Sequence, residues 1–332
     1  MKNYIVFIIL ASTLTSCSKE SFPASTSQTK LYDEFWNHVN DNYIYFEEKN
    51  VDWQSIYQTY KPDLNDNSSD EELLQAMENS LLELRDGHNL LRTPIRNSLV
   101  YDFKEGYDTS YSPELVEQKY ITSPVLQTKS FRHGNMDNGK TIYIQIPKME
   151  FITSLQELIR SLIQEETETL ILDLRNNGGG DSNPIPELLG DFVTERTLLG
   201  SYIEKSGPER EDETEPINIY ANPSDDTYFD IDVFLLINRG GFSATSYFAA
   251  MAQGLPNFIL VGQVTGGGGG GNAGFELSNG WLLALSVSDF IDKNGKTIEN
   301  GVDPDVFVEN TESDISDSRD IMLEKVLELA GK

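Results

Sequence analysis

Cysteine is nearly missing from this chain of 332 residues: Cys17 stands alone, so no disulfide can form within it. Histidine is scarce too, and any imidazole chemistry must use His38, His88 or His133. Positive charge is outweighed, with 25 Lys and Arg against 54 Asp and Glu and a formal net charge of −29. Such a field repels nucleic acid and anionic lipid head groups, which excludes both as partners. No lysine occurs between Lys205 and Lys293, and no Gly-Lys-Ser/Thr follows the glycine run Gly266 to Gly271. A phosphate-cradling loop is therefore not expected there. There is no internal repeat, and nothing in the sequence calls for a metal or an organic cofactor.

What the chain does have begins at its N-terminus. Lys2 precedes a brief apolar run, Tyr4 to Ala11, and then Leu14-Thr15-Ser16-Cys17. A basic start and a short apolar core read as a secretory signal rather than a membrane-spanning helix. Leu-Thr-Ser-Cys resembles a bacterial lipobox, which implies cleavage before Cys17 and lipid attachment to that thiol. Ser18-Lys19-Glu20 and the Ser/Thr-rich residues that follow read as a tether, similar to lipoproteins of the Bacteroidetes-type outer membrane. Several acyl chains, each methylene worth roughly 0.8 kcal/mol, would hold the protein on a membrane, periplasm-facing or at the cell surface.

From Lys30 to about Leu84 apolar residues recur at helical spacing: Leu31, Phe35, Trp36, Val39, then Leu73, Leu74, Met77, Leu81 and Leu82. Arg85-Asp86-Gly87-His88 breaks that pattern. Leu91 to Lys140 reads as short strands and polar turns. From Thr141 strands and helices alternate, which implies an α/β layer with crossover connections. The expected strands are Ile142–Ile146, Thr169–Leu174, Asp232–Ile237, Phe258–Gly262 and Trp281–Val287. The expected helices are Leu155–Gln164, Ile185–Val193, one after Ser243, and Arg319–Leu329. The acidic, polar stretch Ser206 to Asp226 reads as an exposed loop or lid.

Four segments carry chemistry. The buried run to Ile237 leads into Asn238-Arg239-Gly240-Gly241-Phe242-Ser243-Ala244, so Ser243 sits on a strand-to-helix turn. A hydroxyl there is a seat for a nucleophile, the positive helix end favouring nearby negative charge; the plainer reading is that Ser243 caps its helix. Leu174-Arg175-Asn176-Asn177-Gly178-Gly179-Gly180 opens another strand into glycines whose N–H groups are suited to an oxyanion. The remaining two are Gly262-Gln263-Val264-Thr265 before the glycine run, and Glu299-Asn300-Gly301-Val302-Asp303-Pro304-Asp305.

In this order, the four segments resemble those of the tail-specific or C-terminal-processing serine peptidases, tricorn protease core included, over about Ile142 to Leu329 and more weakly over Lys30 to Arg92. The resemblance implies a crotonase/ClpP-like α/β core with a small N-terminal helical domain. It divides the chain into a signal (1–16), a tether (17–29), a helical domain (30–95), a connecting β-rich segment (96–140) and a catalytic core (141–332). The processing branch places its lysine base just after Gly-x2-Thr, where Gly267 and Gly268 stand here. The tricorn-like branch uses histidine, and Leu84-Arg85-Asp86-Gly87-His88 resembles its motif, although Gly87 replaces a serine that links histidine to glutamate. By this resemblance Ser243 is the nucleophile, His88 the base and Glu299 the group supporting it, with Gly179 and Ala244 N–H groups binding the oxyanion. His38 reads as a surface or packing residue and His133 as a turn residue. The glycine run reads as a mobile loop near the cleft. The substrate implied is peptide or unfolded protein; the alternative is a non-catalytic ligand-binding protein on the same scaffold. A crotonase-like acyl-CoA enzyme fits poorly, because an exported protein does not meet CoA.

Overall fold

A computed structural model describes residues 27–99, 110–128, 130–225, 227–228 and 230–331. The signal and Cys17 lie outside the described residues. The N-terminal part supplies α1 (Gln28–Asn42), α2 (Trp53–Tyr60) and α3 (Asp70–Leu82), followed by the hairpin β1 (Leu90–Arg92) and β2 (Asn97–Leu99). Ser69 starts α3 with a reciprocal cap, accepting from the Glu72 N–H while Glu72 accepts from the Ser69 N–H. Next come α4 (Pro113–Lys119), β3 (Leu126–Gln127), β4 (Arg132–Met136), β5 (Thr141–Gln145), α5 (Ile152–Leu162), β6 (Thr169–Asp173) and α6 (Ile185–Leu189). The remainder is β7 (Thr197–Glu204), β8 (Ile217–Ala221), β9 (Asp232–Ile237), α7 (Ala244–Ala252), β10 (Phe258–Gly262), β11 (Gly270–Glu276), β12 (Leu282–Asp292), β13 (Val306–Phe307), α8 (Glu312–Ser316) and α9 (Ile321–Leu329).

Two sheets result. One runs β13-β10-β9-β6-β5-β4-β3, parallel from β13 to β5 and antiparallel at β4 and β3. Its central strands are apolar on both faces because both are covered. Residues of α5, α6 and α7 pack on one face, while Val116, Met322, Leu323 and Val326 pack on the other. The second sheet, β2-β1-β12-β7-β8 with β11 beside β12, is antiparallel. Its outer face carries α1 to α3 through an aromatic-rich core of Tyr32, Phe35, Trp53, Leu283, Leu285 and neighbours.

The mixed α/β core and the small helical region are thus as expected, and three local expectations are corrected. The segment before Thr141 contains a helix, α4, whose Ser112 cap accepts from the Leu115 N–H with Pro113 in the first turn. Part of the acidic stretch pairs with β7 as β8. His133 is no turn residue: it is buried within β4, opposite Leu126 and Ile144.

Candidate active site

Three parallel strands end side by side, and their following turns build one groove. The β9 turn carries Ser243, with φ 55° and ψ −122°, a conformation that L-residues rarely hold. Its side chain makes no capping bond to α7, so the helix-cap reading fails. Instead its Oγ lies 3.0 Å from His88 Nε2. His88 comes from the loop that enters β1, where the Asp86 carboxylate accepts from the His88 N–H at 2.8 Å. The imidazole also packs on the Phe242 ring, centroids 4.8 Å apart.

The β6 turn leans directly on the serine. A Cβ at Gly179 would lie 2.6 Å from the Phe242 carbonyl oxygen and 2.8 Å from Ser243 Cβ, so only glycine fits. Asn177 joins the two turns: its carbonyl accepts from the Phe242 N–H and from Thr245 Oγ1. Asn238 does the same from the other side, accepting from the Asn176 N–H at 2.8 Å and the Gly240 N–H at 3.1 Å. The Gly179 N–H, expected to face an oxyanion, donates to Asn177 Oδ1 at 2.9 Å. The Ala244 N–H stands at the first position of α7, among the N–H groups for which an α-helix has no acceptor of its own.

The glycine run is not a loose loop. Gly267 O accepts from the Ser243 N–H, and the Gly268 N–H donates to the Glu299 carbonyl. A Cβ on Gly267 would meet that carbonyl at 2.0 Å; one on Gly268 would meet the Phe242 ring at 2.6 Å and His88 Cε1 at 3.0 Å. A side chain at 268 and the imidazole of His88 therefore compete for the same space. Thr265 anchors the run, its hydroxyl meeting Ser246 Oγ at 2.9 Å and accepting from the Val302 N–H at 3.0 Å.

Glu299 is buried at this site but is not hydrogen-bonded to His88. Its carboxylate accepts from the Gly269 N–H at 2.9 Å and pairs with Lys49 Nζ at 2.6 Å. Any support that Glu299 gives the base is therefore indirect, and residue 87 has no side chain to bridge the gap. His88 Nδ1 is buried with no partner among the described residues. Burial holds the imidazole below its usual pKa, Asp86 opposes this, and Lys49 adds to it. Burial, then the Asp86 charge, pushes Glu299 up to about 8, against Lys49 and the Gly269 N–H. Asn177 and Asn238 belong to the two strand-end motifs singled out in the sequence, but no role was given to them there, and Lys49 gave no signal at all. His38 lies apart from the site, against Phe275. No cluster suited to a metal occurs among the described residues.

Two family models match parts of the chain. The model of peptidase family S41 matches residues 140–308, and that of the tricorn protease C1 domain matches 26–81. A tail-specific protease of Haemophilus influenzae is 31% identical over 137 residues, covering 40% of this chain and 18% of that protein. Carboxyl-terminal-processing peptidase 2 of Arabidopsis thaliana is 23% identical over 239 residues, covering 68% and 45%. The chain thus spans less than half the length of these curated relatives. A structure from Parabacteroides merdae that carries a peptidase assignment superposes with a TM-score of 0.83 at 28% identity, covering 92% of this chain and 97% of that one. Tricorn protease shares the fold, with a TM-score of 0.58 at 17% identity over 91% of this chain and 36% of its own. With one family model spanning half the sequence and its ordered motifs folded into a single groove, the chain belongs to peptidase family S41.

Proposed function

We propose that this protein is an exported serine peptidase that hydrolyses peptides or unfolded protein tails through Ser243, with His88 as general base. The observation that carries the reading is the 3.0 Å approach of His88 Nε2 to Ser243 Oγ, across two sheets and 155 residues of sequence. A strained serine that declines to cap its own helix and meets an imidazole instead has the geometry of an activated nucleophile. His88 takes the hydroxyl proton as Oγ attacks the peptide carbonyl, then delivers it to the leaving amine. The Ala244 N–H, at the start of α7, is the first oxyanion donor. Gly179 adds a second when the substrate oxygen replaces Asn177 Oδ1 as its acceptor. Glu299 acts at one remove, supporting the charge that develops on His88.

The apolar run Tyr4 to Ala11 and the Leu14–Cys17 motif support a lipid anchor at Cys17 as part of the same reading. Among the described residues no helix is long and apolar enough to cross a membrane. Incubation with a fluorophosphonate probe is the direct test. Covalent labelling should be stoichiometric and vanish in Ser243→Ala, together with cleavage of an unstructured polypeptide, while thermal unfolding stays intact. No labelling of the folded wild type would leave the ligand-binding alternative.

A further inference from the structure

Lys49 belongs to the helical part of the chain, in the turn between α1 and α2, yet its side chain is only 7% exposed. Its ammonium reaches two loops at once. It donates to the Arg85 carbonyl at 2.9 Å and pairs with Glu299 Oε1 at 2.6 Å. Arg85 has φ 49°, so its carbonyl is presented by a left-handed turn just ahead of Asp86-Gly87-His88. The tie is reciprocal, because the Arg85 guanidinium donates back to the Lys49 carbonyl at 2.6 Å. The neighbouring Glu48 accepts from the Asn300 side-chain amide, so two consecutive residues grip Glu299 and Asn300.

From Glu299 the contacts run to the nucleophile. Glu299 accepts from the Gly268 and Gly269 N–H groups, and Gly267 O accepts from the Ser243 N–H. The base loop and the nucleophile loop therefore converge on a single ammonium. We propose that Lys49 is the positioning residue of this site, holding the His88 loop against the Glu299 loop and setting the charge felt by both. The inference rests on the assignment of Ser243 and His88 given above.

Removing the ammonium has a definite electrical sign. Facing His88 are Asp86 on its own loop, Lys49, the Phe242 ring and Ser243. Facing the ion pair are Asp86, Tyr43, Tyr45 and Tyr247, with Glu48, Arg85 and Arg239 around the adjoining cavity of about 230 Å³. Lys49 is the positive charge that acts on His88 most directly. Without it, the protonated imidazole gains stability and Glu299 also retains its proton to higher pH. Both effects carry the acid limb of the rate profile toward alkaline pH.

The experiment is to titrate the His88 ring by NMR in the full chain, alongside the pH dependence of kcat/KM. Lys49→Met should move the His88 titration upward by about one unit, a typical size for losing a nearby charge, and the acid limb with it. Lys49→Arg should restore the wild-type midpoint. Lys49→Gln, which removes the charge but can still donate to the Arg85 carbonyl, should give the same upward shift and serves if Lys49→Met does not fold. An unchanged or downward-shifted His88 midpoint in folded Lys49→Met or Lys49→Gln overturns the proposal. If the wild type hydrolyses nothing, the peptidase reading fails, while the titration still decides the role of Lys49.

Discussion

The two sheets differ in how they are built, and the difference bears on the proposed pair, Ser243 and His88. In the parallel sheet each successive strand adds beside the last, from β5 to β6, β9, β10 and β13. One of its faces is covered largely by α5, α6 and α7, which connect those strands, while residues of α4 and α9 cover the other. The antiparallel sheet joins β1 and β2 to strands that follow Arg196, and its aromatic core unites Leu31 to Leu91 with Leu277 to Leu285. One sheet presents Ser243 on a rigid turn between buried elements. The other brings His88 on a loop whose placement depends on contacts spanning most of the chain. The proposed nucleophile is thus held among turns of one sheet, and the proposed base depends on the other.

Truncations deep in each region give the strongest test of that contrast. Arg175 is fully buried between Asp173 and Asp320, at 2.6 and 2.8 Å. Asp320→Ala leaves a buried cation half-paired and should cost about 3 to 5 kcal/mol. Trp53→Ala removes a ring packed against Phe35, Trp36 and Phe46 and should cost about the same. Because α1 to α3 lie on β12, each variant should unfold in one transition, read by calorimetry. A biphasic melt of Trp53→Ala with the parallel sheet persisting would mean that the helical region folds independently.

How much of this was legible beforehand follows the same division. Thr169 to Asp173 and Asp232 to Ile237 announce themselves as strands, because burial on both faces leaves unbroken apolar runs. Ser243 drew attention by its turn and His88 by the family resemblance, and the structure brings their side chains together. Strand β4 escaped notice because Arg132-His133-Gly134-Asn135-Met136 has no apolar alternation; its pairing with β5 overrides local preference. Glu299 was found but not its partner. Nothing near Lys49 in the sequence marks an ammonium that will meet a carboxylate 250 residues later, since the pairing exists only once both sheets are packed.

The glycine run sharpens the comparison at the interface of the two regions, with a somewhat smaller effect. Gly268→Ala places a methyl against Phe242 and His88 Cε1 at a position of φ +80°. Displacing the imidazole by about 1 Å should lower kcat/KM roughly 100-fold. The serine turn stays in place, so the variant should still unfold cooperatively. Activity equal to wild type would show that the His88 loop adapts, and that its position is not held as tightly as the serine's.

The smallest effect concerns charge buried between the regions. Asp289, bonded to Tyr45 at 2.7 Å and Thr297 at 2.9 Å, is pushed up to about 7 chiefly by burial, and Glu299 up to about 8. Both folded-state values lie above those of the unfolded chain, so the native state binds more protons between them. Stability therefore falls as pH rises through that window, in contrast to a salt-bridged carboxylate with a depressed pKa. His88 and His133, held below their usual range, act below pH ~6.5 and leave the alkaline side of the window alone. From pH ~6.5 to ~8 the unfolding free energy should drop by about 1 to 2 kcal/mol, measured in urea at constant ionic strength. Asp289→Asn, which removes one of the two titrating groups while keeping the Tyr45 and Thr297 acceptor, should flatten that dependence. A slope unchanged in Asp289→Asn would place the proton uptake away from the seam between the two sheets.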